Sequence, residues 1–190
     1  MLLYDNLSVT PQGHLAVGGV DTVDLARQFG APLYVVDEDQ LRANCRTYVQ
    51  ALAEAMPQGS MPLFASKALC FKGLYPILKE EGMGADVVSP GEIYTALAGG
   101  FPPERLYFHG NNKSNKEIEE ALELGVGYFV IDNVMECRRL IEIAMEKHIQ
   151  TKALLRVNPG ISAHTHEYIM TAKPDSKFGI FIDDTEHIGQ

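Results

Sequence analysis

From about residue 60 onward, short apolar runs alternate with longer segments in which apolar side chains recur at helical spacing. Runs of this kind are typical of strands that are buried on both faces and separated by amphipathic helices. The pattern predicts five strands: one that begins at Leu63, residues 86–88, Leu106–Phe108, Tyr128–Ile131 and the segment KALLRVN at 152–158. This alternation is typical of α/β proteins.

Three of the predicted helices carry their own start signals. A serine or asparagine stands at each N-cap position, and a glutamate follows three residues later, where it can complete a capping box. The pairs are Ser89 with Glu92, Ser114 with Glu117, and Asn133 with Glu136. Glycines are predicted to end the first two helices, at Gly99 and Gly125.

Strands buried on both faces and joined by helices pair in parallel through right-handed crossovers. The predicted fold class is therefore α/β, and both an open doubly wound sheet and a (β/α)8 barrel fit the alternation. Counted from Leu63, the five strands correspond to about half of an eight-stranded barrel.

The first 55 residues precede this pattern and are predicted to form a preface to it. Residues 33–36 are predicted to be a strand, followed by a helix that Asp37 caps and that carries Leu41, Cys45 and Leu52 on one face. Residues 57–62, PQGSMP, are predicted to be a loop. We therefore divide the chain into a preface, 1–55, and a larger β/α domain, 56–190.

Charge and composition narrow the classes of function. The chain of 190 residues is 46% hydrophobic and carries a formal net charge of −9. Such a chain is globular and a poor partner for nucleic acid, whose phosphates attract clustered lysines and arginines. No apolar run reaches the roughly 20 residues that span a membrane, and the N-terminus lacks a signal-peptide pattern. We expect a cytoplasmic protein, in which the three widely spaced cysteines are reduced thiols.

Four polar residues stand at or near predicted strand ends: Lys67, Asp86, His109 and Arg156. In parallel α/β folds these ends meet at one edge, where active sites form. A partly desolvated lysine such as Lys67 can attack a carbonyl and form a Schiff base, but a lysine that snorkels to the surface fits the same pattern. Asp86 alone is more typical of a turn or cap, whereas Arg156 in a buried strand requires an anionic partner.

Other chemistries have weaker support in the sequence. His164 and His166 stand in the motif HTH, but two histidines without cysteines or clustered carboxylates are weak evidence, and we predict no metal site. The sequence also shows no glycine-rich phosphate-binding motif of the dinucleotide or nucleoside-triphosphate type.

Six motifs taken together resemble the diaminopimelate decarboxylases, which belong to the pyridoxal-phosphate decarboxylases that share the alanine racemase barrel. They are PLYVVDEDQLRAN, FASKA, GADVVSPGEI, FHGNNKS, LLRVNPG and HTHEYIMTAKPDSKFGI, in matching order from about residue 32 to 182. The resemblance implies a (β/α)8 barrel of the alanine racemase type. About five β/α units of it lie in this chain, so residues 56–190 would be a partial cofactor-binding barrel.

The same resemblance implies the cofactor and its contacts. Pyridoxal 5'-phosphate would be bound as a Schiff base by Lys67 at the mouth of the barrel, where it serves as the electron sink for decarboxylation. Asp86 and Arg156 match positions that line the cofactor pocket, and His109 lies at a neighbouring strand end.

The resemblance further implies a substrate and a partner. Ser176 and Lys177 match a loop near the active site and the dimer contact, and the motif around them favours meso-diaminopimelate, which yields L-lysine and carbon dioxide, over ornithine or arginine. We expect a homodimer or a self-associating chain. Family members continue into a second half of the barrel and a β-domain, so these 190 residues alone are expected to be inactive. The alternatives are a decarboxylase for another basic amino acid, of the ornithine or arginine type, and a non-catalytic binding or dimerisation fragment.

Overall fold

The computed structural model describes residues 4–159 and 178–181. The chain divides into two compact units, Met1–Pro62 and Leu63–Gln190. The assignment of residues 1–55 and 56–190 as functional domains stays a prediction.

The first unit contains a small antiparallel sheet and two helices. Its strands pair in the order β1, β2, β3. The elements are β1 (Leu7–Val9), β2 (Leu15–Val17), β3 (Val20–Asp21), α1 (Thr22–Phe29) and α2 (Glu38–Ala55). Both helices begin at an aspartate whose side chain accepts a main-chain hydrogen bond in the first turn, Asp21 for α1 and Asp37 for α2. The cap at Asp37 confirms the prediction.

The strand predicted at residues 33–36 was wrong. These residues have no regular secondary structure and pair with no strand of the described part of the chain. Their side chains are largely exposed, Tyr34 at 95%. A strand is completed by main-chain hydrogen bonds to a neighbour, and an apolar β-branched run does not by itself provide that neighbour.

The second unit contains a five-stranded parallel sheet in the order of the sequence, which confirms the predicted α/β class. Its strands are β4 (Leu63–Ala65), β5 (Gly84–Val87), β6 (Leu106–Phe108), β7 (Tyr128–Ile131) and β8 (Lys152–Leu155). The connecting helices are α3 (Leu74–Glu80), α4 (Pro90–Ala98), α5 (Asn115–Glu123) and α6 (Val134–Glu146), with a 3-10 turn at Pro103–Arg105.

The last predicted strand, 152–158, is interrupted at Arg156. Its N–H donates to the carbonyl of Ile131 in β7 at 2.9 Å, whereas its carbonyl accepts from Ile180 at 2.8 Å. The chain therefore changes hydrogen-bonding partner at this residue. Two short parallel strands follow, β9 (Val157–Asn158) and β10 (Ile180–Phe181).

The predicted helix starts are found in the structure, but only one of the three predicted capping boxes is complete. The side chains of Ser89, Ser114 and Asn133 each accept from the main-chain N–H three residues later. Ser114 and Glu117 form a complete capping box. Glu92 and Glu136 differ, because the carboxylate of each accepts from the N–H of the residue before the cap, that of Val88 at 2.7 Å and that of Asp132 at 3.2 Å.

The core of the second unit lies between the helices and one face of the sheet. In β5 and β6 the buried apolar side chains alternate with more exposed residues, as the two-residue period of a strand requires. In β7 three successive residues, Phe129 to Ile131, are buried, and β8 is exposed at every position. The buried apolar side chains of the sheet include Ala85, Val87, Leu106, Phe108, Phe129 and Ile131, and those of the helices include Leu74, Leu78, Ile93, Ala96, Ile118, Leu122 and Leu140. Among the described residues, no helix combines the length and apolar character needed to cross a membrane.

We expect Ser114→Ala to lower the free energy of unfolding by about 1 kcal/mol, because α5 loses a capping hydrogen bond. Urea denaturation measures the change. Ser114→Asp is the matched control, since its carboxylate can accept the same hydrogen bond and should retain most of the stability. Equal losses in both variants would contradict a capping role for this residue.

Candidate active site at the carboxyl ends of the strands

Lys67 lies in the turn that directly follows β4, and its side chain is exposed at the carboxyl edge of the sheet. The turn is anchored by the residue before it. The N–H of Ser66 donates to the carbonyl of Asp86 at 2.9 Å, and the hydroxyl of Tyr75 in α3 donates to Ser66 Oγ at 3.0 Å. The base of Lys67 is therefore held to both β5 and α3, while its amine stays accessible.

Asp86 and His109 stand together on the neighbouring strands. The imidazole Nε2 of His109 lies 3.9 Å from Asp86 Oδ1, which is too long for a hydrogen bond but close enough for electrostatic attraction. That carboxylate oxygen is fully buried and accepts no hydrogen bond from any described residue. A buried acceptor without a donor is costly, so this oxygen is suited to a donor supplied by a ligand.

Arg156 has the anionic partner that its position in the strand requires. Its Nη1 lies 3.1 Å from Oδ1 of Asp132, whose side chain is 3% exposed. The guanidinium also lies 4.3 Å from the ring centroid of Phe178, a cation–π contact. Arg156 is therefore held from two sides while 34% of its side chain is exposed.

The charges of the predicted site residues converge on His109. Burial lowers the pKa of this histidine, and the carboxylate of Asp86 opposes that effect. Repulsion from Arg156, Lys113 and Lys67 lowers the pKa further. All four predicted residues of the sheet edge therefore interact electrostatically, and His109 is neutral at pH 7.

Sequence reasoning missed several residues of this edge. Asp132 follows β7 in the run YFVID, so its position after a strand was a usable signal. The buried pair of Lys113 and Glu136, with Nζ and Oε1 2.6 Å apart, had no such signal, because Lys113 stands in a polar loop and Glu136 was predicted only as the capping partner of Asn133. Only the tertiary structure buries them.

Several predicted residues lie outside the described part of the chain. These are Ser176 and Lys177 of the proposed loop and the histidines His164 and His166. Within the described ranges, no group of three or more histidine, cysteine, aspartate or glutamate side chains could hold a metal ion.

Residues 38–190 match the family model for the pyridoxal-binding domain of the pyridoxal-dependent decarboxylases. The chain belongs to this decarboxylase family. Diaminopimelate decarboxylase from Bacillus methanolicus is 45% identical over 179 residues, and that from Bacillus subtilis is 44% identical over the same length. Each alignment covers 94% of this chain but only 41% and 40% of the relative, so the chain spans about two fifths of these proteins.

Solved decarboxylase structures share the fold. A diaminopimelate decarboxylase from M. jannaschii in co-complex with L-lysine has a TM-score of 0.84 and 29% identity, and covers all of this chain and 44% of that one. The Helicobacter pylori enzyme complexed with L-lysine has a TM-score of 0.76 and 31% identity, over 88% of this chain and 42% of that one. The five-stranded sheet of this decarboxylase family member is thus part of an alanine racemase-like barrel, as predicted.

We expect His109 to titrate below the ordinary histidine pKa of about 6.5. Asp86→Asn should lower its pKa further, whereas Arg156→Gln should raise it, because these changes remove an attracting and a repelling charge respectively. Histidine-labelled NMR measures each midpoint, with His109→Gln to assign the signal.

The sign of the linked stability change follows from the same pKa. Since the folded value lies below the unfolded one, the contribution of His109 is present above pH 6.5 or so and is lost as the pH falls through the folded value. A His109 midpoint above the ordinary value would contradict this electrostatic description.

Proposed function

We propose that this chain is the amino-terminal, cofactor-holding part of a pyridoxal-phosphate-dependent decarboxylase that converts meso-diaminopimelate to L-lysine and carbon dioxide. The observation that carries the proposal is the placement of an accessible amine, Lys67, at the same strand edge as the unfilled carboxylate oxygen of Asp86. His109 and the guanidinium of Arg156, which is oriented by Asp132, are the other two candidate residues at this edge.

The residues present fit pyridoxal phosphate. The cofactor offers an aldehyde, for which Lys67 supplies an accessible amine, and a phosphate and a phenolate oxygen, which suit a cationic edge. When bound, the cofactor supplies an electron sink for the electron pair left when a carboxylate leaves as carbon dioxide. The buried Oδ1 of Asp86 is available to accept a hydrogen bond from the loaded site.

Each side chain has a distinct proposed role. Lys67 attaches the cofactor, and Asp86 stabilises a neighbouring positive charge or donor. His109, neutral at pH 7 because its pKa is lowered, presents an uncharged ring that can pack against the cofactor or exchange one hydrogen bond. Arg156, oriented by Asp132, provides a fixed cation for an anionic group of the cofactor or substrate. Ser176 and Lys177 are proposed to contribute from the substrate and dimer loop.

The proposed substrate rests on the relatives. Two Bacillus proteins named diaminopimelate decarboxylase are 44–45% identical to this chain. The lysine/ornithine decarboxylase of Vibrio vulnificus is 25% identical, with a lower TM-score of 0.55. These values favour meso-diaminopimelate over ornithine or arginine.

We expect pyridoxal phosphate followed by borohydride reduction to label Lys67, because its exposed amine stands at the strand edge that also carries Asp86, His109 and Arg156. Peptide mass spectrometry locates the adduct. Lys67→Ala should abolish the specific label, and Lys72→Ala, which removes an exposed lysine five residues away, should leave it unchanged. Equal labelling of many lysines would contradict the proposed site.

The same assay tests the substrate. An amino-acid substrate whose amine competes with Lys67 for the aldehyde of the cofactor would protect this lysine from the reductive label. We expect meso-diaminopimelate to protect at lower concentration than L-ornithine. Preferential protection by ornithine would instead favour the alternative substrate, and no protection by any amino acid would favour a non-catalytic binding fragment. Release of carbon dioxide by these 190 residues alone is expected to be negligible.

We also propose that the chain self-associates through its sheet. Strands β4 and β8 are the outer strands of the five-stranded sheet, and outer strands present unpaired main-chain groups. The end of β8 adds exposed apolar surface, with Leu154 at 45% and Leu155 at 43%. Apolar surface next to an unpaired strand edge favours association.

We expect size-exclusion chromatography across a range of concentrations to show a species larger than a monomer. Leu155→Lys should shift the equilibrium toward the monomer, because it places a charge beside the strand edge. Leu124→Lys, at a leucine that is 48% exposed at the end of α5, is the matched control and should leave association unchanged. A stable monomer at high concentration would contradict the proposal.

A further inference from the structure

Lys113 and Glu136 form an ion pair that the proposed chemistry does not use. Both side chains are almost fully buried, at 2% and 3% exposure, and Nζ lies 2.6 Å from Oε1. Lys113 lies in the connection between β6 and α5, and Glu136 lies in the first turn of α6. The pair sits beneath the strand edge that carries His109 and Arg156.

Lys113 connects three parts of this edge. Besides Glu136, its ammonium donates to the carbonyl of Gly110 and to the carbonyl of Val130, each at 2.8 Å. A lysine ammonium has three N–H donors, so every donor is used. Gly110 directly follows His109, and its main-chain φ of +128° is one that glycine adopts readily. Lys113 therefore holds the loop after His109 against β7.

Glu136 connects the same lysine to the arginine. Its second oxygen, Oε2, accepts from the main-chain N–H of Asp132 at 3.2 Å. The carboxylate of Asp132 in turn accepts from Arg156 at 3.1 Å. Hydrogen bonds thus run without interruption from the loop after His109, through the buried pair, to the guanidinium.

The buried pair is poorly explained as a simple source of stability. Two apolar side chains of similar volume are often as stabilising as a buried ion pair, since they avoid the desolvation of two charges. Such a replacement would, however, leave the carbonyls of Gly110 and Val130 and the N–H of Asp132 without these partners. The charged pair therefore orients the main-chain groups to which it is hydrogen-bonded at the carboxyl edge of the sheet.

We propose that Lys113 and Glu136 are positioning residues, which act through the loop after His109 and through Asp132 to hold His109 and Arg156 in place. The proposal rests on the proposed function, in that His109 and Arg156 are taken to line the cofactor pocket. Neither Lys113 nor Glu136 needs to touch the cofactor.

Two variants of this chain test the proposal. Glu136→Gln keeps the size of the side chain, but its amide has a single oxygen. The Glu136 carboxylate now accepts two hydrogen bonds, one from Lys113 and one from the N–H of Asp132. The double variant Lys113→Met/Glu136→Met removes both charges together, so neither is left buried without its partner. Lys116→Met and Glu142→Gln, at exposed positions of α5 and α6, are the matched controls.

The first measurement is the His109 titration in Glu136→Gln, which requires no cofactor. Loss of the negative charge at Glu136 leaves Lys113 unbalanced and by itself lowers the pKa of His109. Displacement of Arg156 has the opposite effect, because Arg156 now holds that pKa down. We expect the midpoint to rise. A midpoint that falls, as the change of charge alone requires, would overturn the positioning role of Glu136.

The second measurement is the rate of borohydride-trapped labelling at Lys67 in the double variant. We expect it to fall about two- to thirtyfold, the range found for residues that act through others. The thermal unfolding midpoint should stay near that of the unsubstituted chain. A labelling rate equal to that of the unsubstituted chain, whether or not the stability changes, would show that the pair does not position the site residues and would overturn the proposal.

The two proposals fail in different ways. Absence of labelling at Lys67 in the unsubstituted chain would contradict the proposed function, and the His109 midpoint in Glu136→Gln would then decide the positioning role. If either test variant does not fold, the measurement on the other decides. The control variants are expected to match the unsubstituted chain in both measurements.

Discussion

Main-chain hydrogen bonds that continue past the ends of the parallel strands are the constraint on which the candidate site depends. Ser66 donates to β5 just after β4 ends, His109 donates to β5 just after β6 ends, and Arg156 donates to β7 just after β8 ends. Parallel strands place these residues along one edge, and the extra hydrogen bonds hold their main chain as firmly as that of the sheet. The main-chain positions of these residues are therefore fixed, although their side chains differ in type and exposure.

Charge is arranged in two layers at this edge. The deeper layer is closed, because the donors of Lys113 and both oxygens of Glu136 are used within the protein. The outer layer is open: Lys67 is exposed, and one oxygen of Asp86 accepts no hydrogen bond from any residue that the structure describes. Buried polar groups that are fully bonded make a rigid support, whereas those with a missing partner are suited to a ligand. Asp132 connects the two layers, because its N–H donates to Glu136 in the deeper layer and its carboxylate accepts from Arg156 in the outer one.

The sheet itself is covered unequally. Helices bury the face that carries Phe108 and Phe129, whose rings meet edge to face. On the other face Tyr107 and Tyr128 stack with centroids 4.2 Å apart and are only partly buried. The proposed cofactor pocket lies at the carboxyl edge of this sheet. The proposed self-association uses its outer strand β8, whose end is exposed.

The sequence by itself determined the elements whose signals are local. Alternation of apolar runs and helical periodicity predicted the five parallel strands, and the caps at Ser89, Ser114 and Asn133 were read from neighbouring residues. The predicted strand ends pointed to Lys67 as a candidate site residue. The motif FASKA around it is one of the six that together resemble the decarboxylases. Tertiary structure alone decided what depends on partners distant in the chain. Residues 33–36 pair with no strand in the described part of the chain, and the segment at 152–158 changes its hydrogen-bonding partner at Arg156. The tertiary structure also buried Lys113 against Glu136, 23 residues away, because burial and pairing are properties of the packed chain and leave no periodic pattern in the sequence.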